Sequence, residues 1–81
     1  MDRFYVYALW SRSAGRFYVG STGDLGNRLR EHNAGESKST RYGVPWTLVH
    51  SEAFDTRGEA VRRERYFKTG RGRSELRLLR A

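Results

Sequence analysis

Two short aromatic runs near the N-terminus constrain the fold more than any other feature of this sequence. The first is FYVYALW, from Phe4 to Trp10, and the second is RFYVG, from Arg16 to Gly20. Both are rich in the aromatic and β-branched residues that favour strands, and the turn-like residues 11–15 separate them, which predicts a β-hairpin. Because the first run is apolar without a break, we expect it to be a central strand covered on both faces.

Caps and helix-breaking residues predict the first helix and the third strand. Asp24 is a suitable N-cap for a helix from Leu25 to about His32. A polar loop over 36–45 then leads to a strand from Trp46 to Phe54.

A capping box of Thr56 and Glu59 predicts a second helix, from Arg57 to about Thr69. Ser74 is a candidate N-cap for a short last helix from Glu75 to Arg80. The predicted order is therefore β-β-α-β-α-α. This order indicates an α+β fold, with a small, three-stranded, mainly antiparallel sheet flanked by helices.

The size and composition limit the class of protein. A chain of 81 residues has room for one domain, so we expect a single domain over residues 1–81. It contains no cysteine, which excludes disulfides, thiolate metal sites and a cysteine nucleophile. No apolar run approaches the roughly 18 residues of a membrane span, and the N-terminus does not resemble a secretory signal. We expect a cytoplasmic protein with no membrane partner and, by default, a monomer.

Polar side chains share helix faces with apolar ones. Arg28 and His32 fall on the apolar side of the first predicted helix, and Glu64 falls on that of the second. Such groups are costly to bury unless they are paired or open to a cleft. One interpretation is a buried Arg28–Glu64 ion pair that fixes helix packing. The other is a cleft in which all three side chains converge on a phosphate or a metal ion.

The sequence has no glycine-rich phosphate loop, HExxH motif or DxD pair. A site built on the single inward carboxylate of Glu64 suits one Mg²⁺ or Mn²⁺ ion that keeps most of its waters and takes a phosphate as a further ligand. His50 stands alone in a predicted strand, and we expect it to be structural.

The distribution of charge favours nucleic acid as a partner. Of the 16 basic residues all but Lys38 and Lys68 are arginines, whose planar guanidinium can contact two phosphate oxygens. The last third of the chain holds most of the net charge of +7. A one-sided basic surface attracts polyanions. The alternative is a solvated helix face without a ligand.

The two aromatic runs also carry a family resemblance. Tyr5-Val6-Tyr7, ten intervening residues and then Tyr18-Val19-Gly20 resemble the signature of the GIY-YIG nuclease superfamily, closest to its small stand-alone members. The similarity covers nearly the whole chain. It continues in order through Ser21-Thr22, Asp24-Leu25, Arg28, Glu31-His32-Asn33, Gly35, Pro45-Trp46, Glu59-Ala60, Arg63-Glu64 and Lys68.

The resemblance implies a metal-dependent endonuclease that hydrolyses phosphodiester bonds in DNA without sequence specificity, as in DNA repair. It also implies the site roles: Tyr7 as the general base or positioning group for water, Tyr18 as a hydrogen-bonding group, Arg28 as the stabiliser of phosphate charge, His32 in proton transfer or phosphate contact, and Glu64 as the ligand of the divalent ion. A phenol is a weak base at pH 7, so we expect Arg28 and the ion to lower the pKa of Tyr7.

The chain departs from the family pattern at Tyr5, which replaces glycine, and at Ser21, where repair nucleases have a basic residue. We also expect no separate DNA-binding domain of the kind that larger members have. We expect phosphates to be contacted by Lys38, Arg41, Arg62, Arg65, Lys68, Arg71 and Arg73. The competing hypothesis is a non-catalytic nucleic-acid-binding module that retains the fold.

Overall fold

The computed structural model describes residues 3–80. They form the strands β1 (Phe4–Ser11), β2 (Arg16–Thr22) and β3 (Trp46–Phe54), the helices α1 (Leu25–Asn33), α2 (Arg57–Phe67) and α3 (Gly70–Arg80), and a 3-10 turn (Arg41–Gly43). The predicted order of elements and the α+β class are confirmed. Within this part of the chain, no helix has the length and hydropathy that crossing a membrane requires.

β1 is the central strand of an antiparallel sheet with the order β2-β1-β3, as its unbroken apolar run predicts. Its side chains alternate between two buried clusters. Val6 and Ala8 face α2 and α3 on one side of the sheet, whereas Tyr7 and Leu9 face α1 on the other. The sheet therefore separates α1 from α2 and α3, and each face has its own core.

The predicted N-caps are present at the starts of α1 and α2, with one difference. The Asp24 carboxylate accepts a hydrogen bond from the Asn27 amide at 3.1 Å, and the Thr56 hydroxyl oxygen accepts from the Glu59 amide at 3.2 Å. The second predicted hydrogen bond of the capping box, from the Thr56 backbone amide to the Glu59 carboxylate, is wrong. The Glu59 carboxylate accepts from the Thr56 hydroxyl at 2.9 Å rather than from its backbone amide.

The last helix begins earlier than the sequence predicts. α3 starts at Gly70 instead of Glu75, and Ser74 lies inside it, where its hydroxyl donates to the Gly70 carbonyl at 3.1 Å. The Thr69 hydroxyl accepts from the Gly72 amide at 3.1 Å, as an N-cap side chain does. The prediction was wrong because glycine has a poor helix propensity, and here close packing against α2 outweighs that propensity.

Candidate active site

The Tyr7 hydroxyl is held inside the protein by a chain of hydrogen bonds. Tyr7 points from β1 toward α1, where its oxygen lies 2.9 Å from Nε2 of His32. The other ring nitrogen of His32, Nδ1, lies 2.7 Å from Oγ1 of Thr40. All three residues are buried. A fully buried His32 ring cannot touch a phosphate, so of its two implied roles only proton transfer through Tyr7 is geometrically open.

The hydrogen bonds of Thr40 favour one tautomer of His32. The Thr40 hydroxyl lies 3.4 Å from the Ser37 carbonyl oxygen, to which it can donate, and we therefore assign it as the acceptor toward His32. Nδ1 of His32 then carries the ring proton, and Nε2 keeps its lone pair. Consequently the Tyr7 hydroxyl donates to Nε2, and the His32 ring can accept the phenol proton.

Burial shifts the pKa values of both partners. It lowers the pKa of His32 below its usual 6.5, and the positive charge of Arg28 acts in the same direction, so the ring is neutral at pH 7. It raises the pKa of Tyr7 above its usual 10.0, although Arg28 opposes this shift. Without a bound ion the pKa of Tyr7 is therefore raised, because burial outweighs the nearby guanidinium. The lowering expected from Arg28 and an ion together stays a prediction.

Gly20 makes room for the Tyr7 phenol. It is the β2 residue paired with Tyr7 across the sheet. A Cβ at this position would lie 2.6 Å from the Tyr7 oxygen and 2.8 Å from Cζ of its ring. A larger residue would push the hydroxyl away from His32. Gly20, the last residue of the second triplet, is thus required because the phenol of Tyr7, the last residue of the first triplet, lies so close to it.

Tyr18 and Arg28 border the buried pair. The ring centroid of Tyr18 lies 5.0 Å from that of His32 and 6.3 Å from that of Tyr7. The Arg28 side chain is about one third exposed, and its Nη1 donates to the Glu31 carboxylate at 3.1 Å. A guanidinium has five N–H donors, so Arg28 retains donors for an anion at the surface.

Glu64 approaches the site from α2, on the other side of the sheet. Its Oε1 accepts a hydrogen bond from Ser21 at 2.8 Å, and its Oε2 accepts from Nζ of Lys68 at 2.8 Å. The Arg28–Glu64 ion pair of one sequence-based interpretation is therefore not formed. The charge of Glu64 acts in the same direction as burial on the pKa of Tyr7 and raises it, but less strongly.

The surroundings of Glu64 fit one hydrated divalent ion. Among residues 3–80 there is no group of three or more His, Cys, Asp or Glu side chains that could enclose a metal. Mg²⁺, however, keeps several waters and is often held by one or two carboxylates together with substrate phosphates. The Glu64 side chain is 21% exposed, and the Lys68 side chain that covers it is 54% exposed. An ion could displace this flexible lysine without rearranging the core.

The cations expected to contact nucleic acid are all exposed: Lys38, Arg41, Arg62, Arg65, Lys68, Arg71 and Arg73. Of these, Lys68 and Arg73 border a large groove beside β2, together with Arg16 and Arg77. Sequence reasoning missed Arg16 because the first two thirds of the chain is nearly neutral. It did not single out Arg77, although this residue lies in the basic last third of the chain.

Two hydroxyl residues of the site also escaped the sequence analysis. For Ser21 the sequence gives only a place in the family pattern, whereas the structure shows that its hydroxyl donates to Glu64. Thr40 has no signal in the sequence. Its contact with His32 depends on the path of the loop back to α1, and neither spacing nor periodicity encodes that path.

Comparisons with known proteins show the family of this chain. The family model of the GIY-YIG catalytic domain matches residues 3–76. A UPF0213 protein of Staphylococcus saprophyticus is 36% identical over 80 residues, which is 98% of this chain and 96% of that protein. A UPF0213 protein of Haloquadratum walsbyi is 48% identical over 69 residues, which is 84% of this chain and 76% of that protein.

A solved structure supports the same relationship. The solution NMR structure of a UPF0213 protein from Bacillus halodurans has 35% identity and a TM-score of 0.57, and the match covers 95% of this chain and 84% of that chain. The match of the domain model includes both aromatic triplets, Arg28 and Glu64. This chain therefore belongs to the GIY-YIG domain family, among small UPF0213 proteins, and has the nuclease-like fold of that family.

Proposed function

We propose that this protein is a divalent-metal-dependent endonuclease that hydrolyses phosphodiester bonds in DNA. The observation that carries the proposal is the hydrogen bond from the Tyr7 hydroxyl to the neutral, buried His32 ring. A phenol with a raised pKa is a poor base by itself. A phenol that can pass its own proton to a neighbouring imidazole does not need to exist as a free phenolate, because it can accept a proton as it gives one away.

The proposed step is the attack of a water oxygen on the phosphorus atom. As the new P–O bond forms and the bond to the leaving oxygen breaks, a water that enters beside the partly exposed Arg28 side chain gives a proton to the Tyr7 oxygen, which is otherwise buried. The phenol proton moves to Nε2 of His32, which becomes an imidazolium with Nδ1–H still bonded to Thr40. The leaving oxygen takes its proton from solvent. His32 returns to the neutral form by losing its proton back through Tyr7 after the product leaves.

Arg28 and Glu64 have electrostatic roles in this proposal. The free N–H groups of Arg28 would bind the non-bridging oxygens of the scissile phosphate, where charge accumulates in the transition state. Glu64 would hold the divalent ion, and the ion, when bound, supplies Lewis-acid stabilisation of the phosphate and of the leaving oxygen. Ser21 keeps one carboxylate oxygen of Glu64 in a fixed direction.

The alternative is a nucleic-acid-binding module without catalysis. One observation favours it: both carboxylate oxygens of Glu64 already have partners, Ser21 and Lys68. If Lys68 holds Glu64 more strongly than a divalent ion does, no ion binds and no cleavage follows. Salt-sensitive binding without metal-dependent cleavage is the signature of this alternative.

The two functions are separated by incubating supercoiled plasmid and labelled oligonucleotides with Mg²⁺ or Mn²⁺, and in parallel with chelator. We expect nicking only with the ion. Glu64→Gln and Arg28→Ala should each lower the rate by about 10²–10³, which is typical for the loss of one preorganised charge. Tyr7→Phe should slow cleavage while leaving the binding of oligonucleotide unchanged.

Glu36→Gln is the matched control for Glu64→Gln, because it makes the same change at an exposed carboxylate whose ion pair is with Arg30. It should cleave like the parent protein, and circular dichroism should show that all variants are folded. Cleavage by Glu64→Gln at the parental rate would rule out the role of Glu64. Cleavage that persists in chelator would rule out dependence on a metal ion.

A further inference from the structure

A large groove runs along the outer edge of β2, the edge that faces away from β1. It has a volume of about 620 Å³ and lies between β2, the end of α2, α3 and the 3-10 turn. Besides apolar residues, its walls include aromatic and cationic side chains: Arg16, Tyr18, Tyr42, Lys68, Arg73 and Arg77.

The groove is built for an anion. No carboxylate lines it. Among residues 3–80, Lys68 is ion-paired with Glu64, whereas Arg16, Arg73 and Arg77 have no carboxylate within 4.0 Å. The four positive side chains around the groove repel one another, and a bound chain of phosphates would neutralise them and be attracted to them.

The groove also offers flat apolar surfaces. Tyr42 is 57% exposed, and its ring packs edge-on against the buried ring of Trp46, with centroids 5.9 Å apart. Its position is therefore fixed while one side of the ring stays open. Exposed aromatic rings beside arginines bind unpaired bases by stacking. A duplex presents its phosphates outward but keeps its bases stacked inside. It can therefore contact the cations of the groove, but its bases cannot stack on the aromatic rings of the groove.

The groove connects with the candidate active site through two of its residues. Lys68 lines the groove and donates to Glu64 at 2.8 Å. Tyr18 lines the groove and lies 6.3 Å, centroid to centroid, from the ring of Tyr7. A strand lying in the groove would therefore lead directly to the site.

We propose that this groove binds an unpaired nucleic-acid strand, with its phosphates on Arg16, Arg73 and Arg77 and a base against Tyr42. The binding itself is independent of catalysis. That the bound strand is the one cleaved rests on the proposed function, and the structure then assigns single-stranded or branched nucleic acid as the substrate class.

The test measures binding without cleavage. A fluorescein-labelled twelve-nucleotide strand is titrated with the full-length protein in chelator, and anisotropy is recorded at several salt concentrations. The double variant Arg73→Gln/Arg77→Gln should bind about tenfold more weakly, and its salt slope should fall by about 1.4, since each phosphate contact on a single strand contributes about 0.7. Tyr42→Ala should weaken binding with the salt slope unchanged, because stacking releases no counterions.

The matched control is Arg3→Gln/Arg30→Gln, which removes the same charge from two exposed arginines outside the groove. It should change the affinity by less than about threefold. Equal loss in both double variants would overturn the proposal, since binding would then depend on net charge alone. Equal affinity for a duplex of the same length, or for a polyglutamate peptide, would also overturn it.

The same measurements keep this proposal separate from the proposed function. A protein that binds the strand through the groove but never cleaves it with Mg²⁺ or Mn²⁺ would disprove only the nuclease. If the protein cleaves DNA and the groove variants bind the strand as the parent does, only the proposal of strand binding in the groove is disproved.

Discussion

Thr40 determines what the Tyr7 hydroxyl can do, although it does not touch Tyr7. Its oxygen accepts from Nδ1 of His32 and thereby leaves Nε2 free to accept from Tyr7. Thr40→Val keeps the shape but leaves the buried Nδ1–H without a partner, which costs about 1–3 kcal/mol. We expect this variant to unfold at lower urea concentration and to lose nuclease activity.

Thr40→Ser separates the positioning role of the hydroxyl from a general loss of stability. Serine restores the acceptor while it removes the methyl group, so stability should recover in part and activity almost fully. The pH dependence of cleavage gives a second readout, because a His32 ring with the wrong tautomer changes the profile as well as the rate. If Thr40→Val cleaves with the parental rate and pH profile, then His32 does not take the Tyr7 proton.

At the scale of elements, the junction between α2 and α3 depends on Gly72. A Cβ at Gly72 would collide with the backbone of Tyr66 and Phe67, atoms that cannot move aside as a flexible side chain can. Gly72→Ala should therefore destabilise the protein by about 1–3 kcal/mol through overpacking. Its control is Gly70→Ala in the same helix, where the added Cβ meets open space and removes chain entropy from the unfolded state.

The two glycine variants are compared by the midpoint of urea unfolding. Gly70→Ala should be neutral or more stable by up to about 1 kcal/mol. Equal destabilisation of both would mean that the α2–α3 junction is not closely packed. Loss of nuclease activity in Gly72→Ala is also expected, since α2 carries Glu64.

The elements were largely predictable because their signals are local. Strands β1 and β2 follow from aromatic runs, and α1 follows from its cap. The start of α3 was not predictable, since Gly70 is typical of a helix end, and the packing of Gly72 against α2 is known only once both helices are in place. In the same way Arg63 bridges Glu52 on β3 and Glu75 on α3, and such a pairing depends on three elements at once.

The candidate site was predictable only as a set of residues. Helical periodicity predicts that Arg28, His32 and Glu64 face inward, and the family resemblance implies that they share a site with Tyr7. Periodicity gives the face of a helix but not the layer in which the helix packs. The sequence therefore did not reveal that α1 and α2 approach from opposite sides of the sheet, nor that Thr40 and Ser21 complete the site.

For the molecule as a whole, the structure predicts that the free energy of unfolding decreases in two stages as the pH falls. The unfolded chain protonates His32 near its usual pKa of about 6.5, whereas the buried ring has a lowered pKa. The unfolded state thus binds more protons below about pH 6.5, and the free energy of unfolding decreases as the pH falls through this range. The pKa values of Glu52 and Glu75 are also lowered, by Arg63 and by hydrogen bonds from His50 and Tyr66, so their contribution is lost in a second stage below about pH 4.5.

The first stage can be assigned to His32 because the sequence holds only one other histidine, His50. In a His50→Asn background, the remaining ring signal in NMR spectra should show no titration near 6.5 while the protein is folded. Urea unfolding across the same pH range should show stability falling before that signal shifts. A ring that titrates near 6.5 in the folded state would be open to water, which would contradict the buried position of His32 in the structure. The relay from water through Tyr7 to His32 would then lose the buried contact on which it is argued.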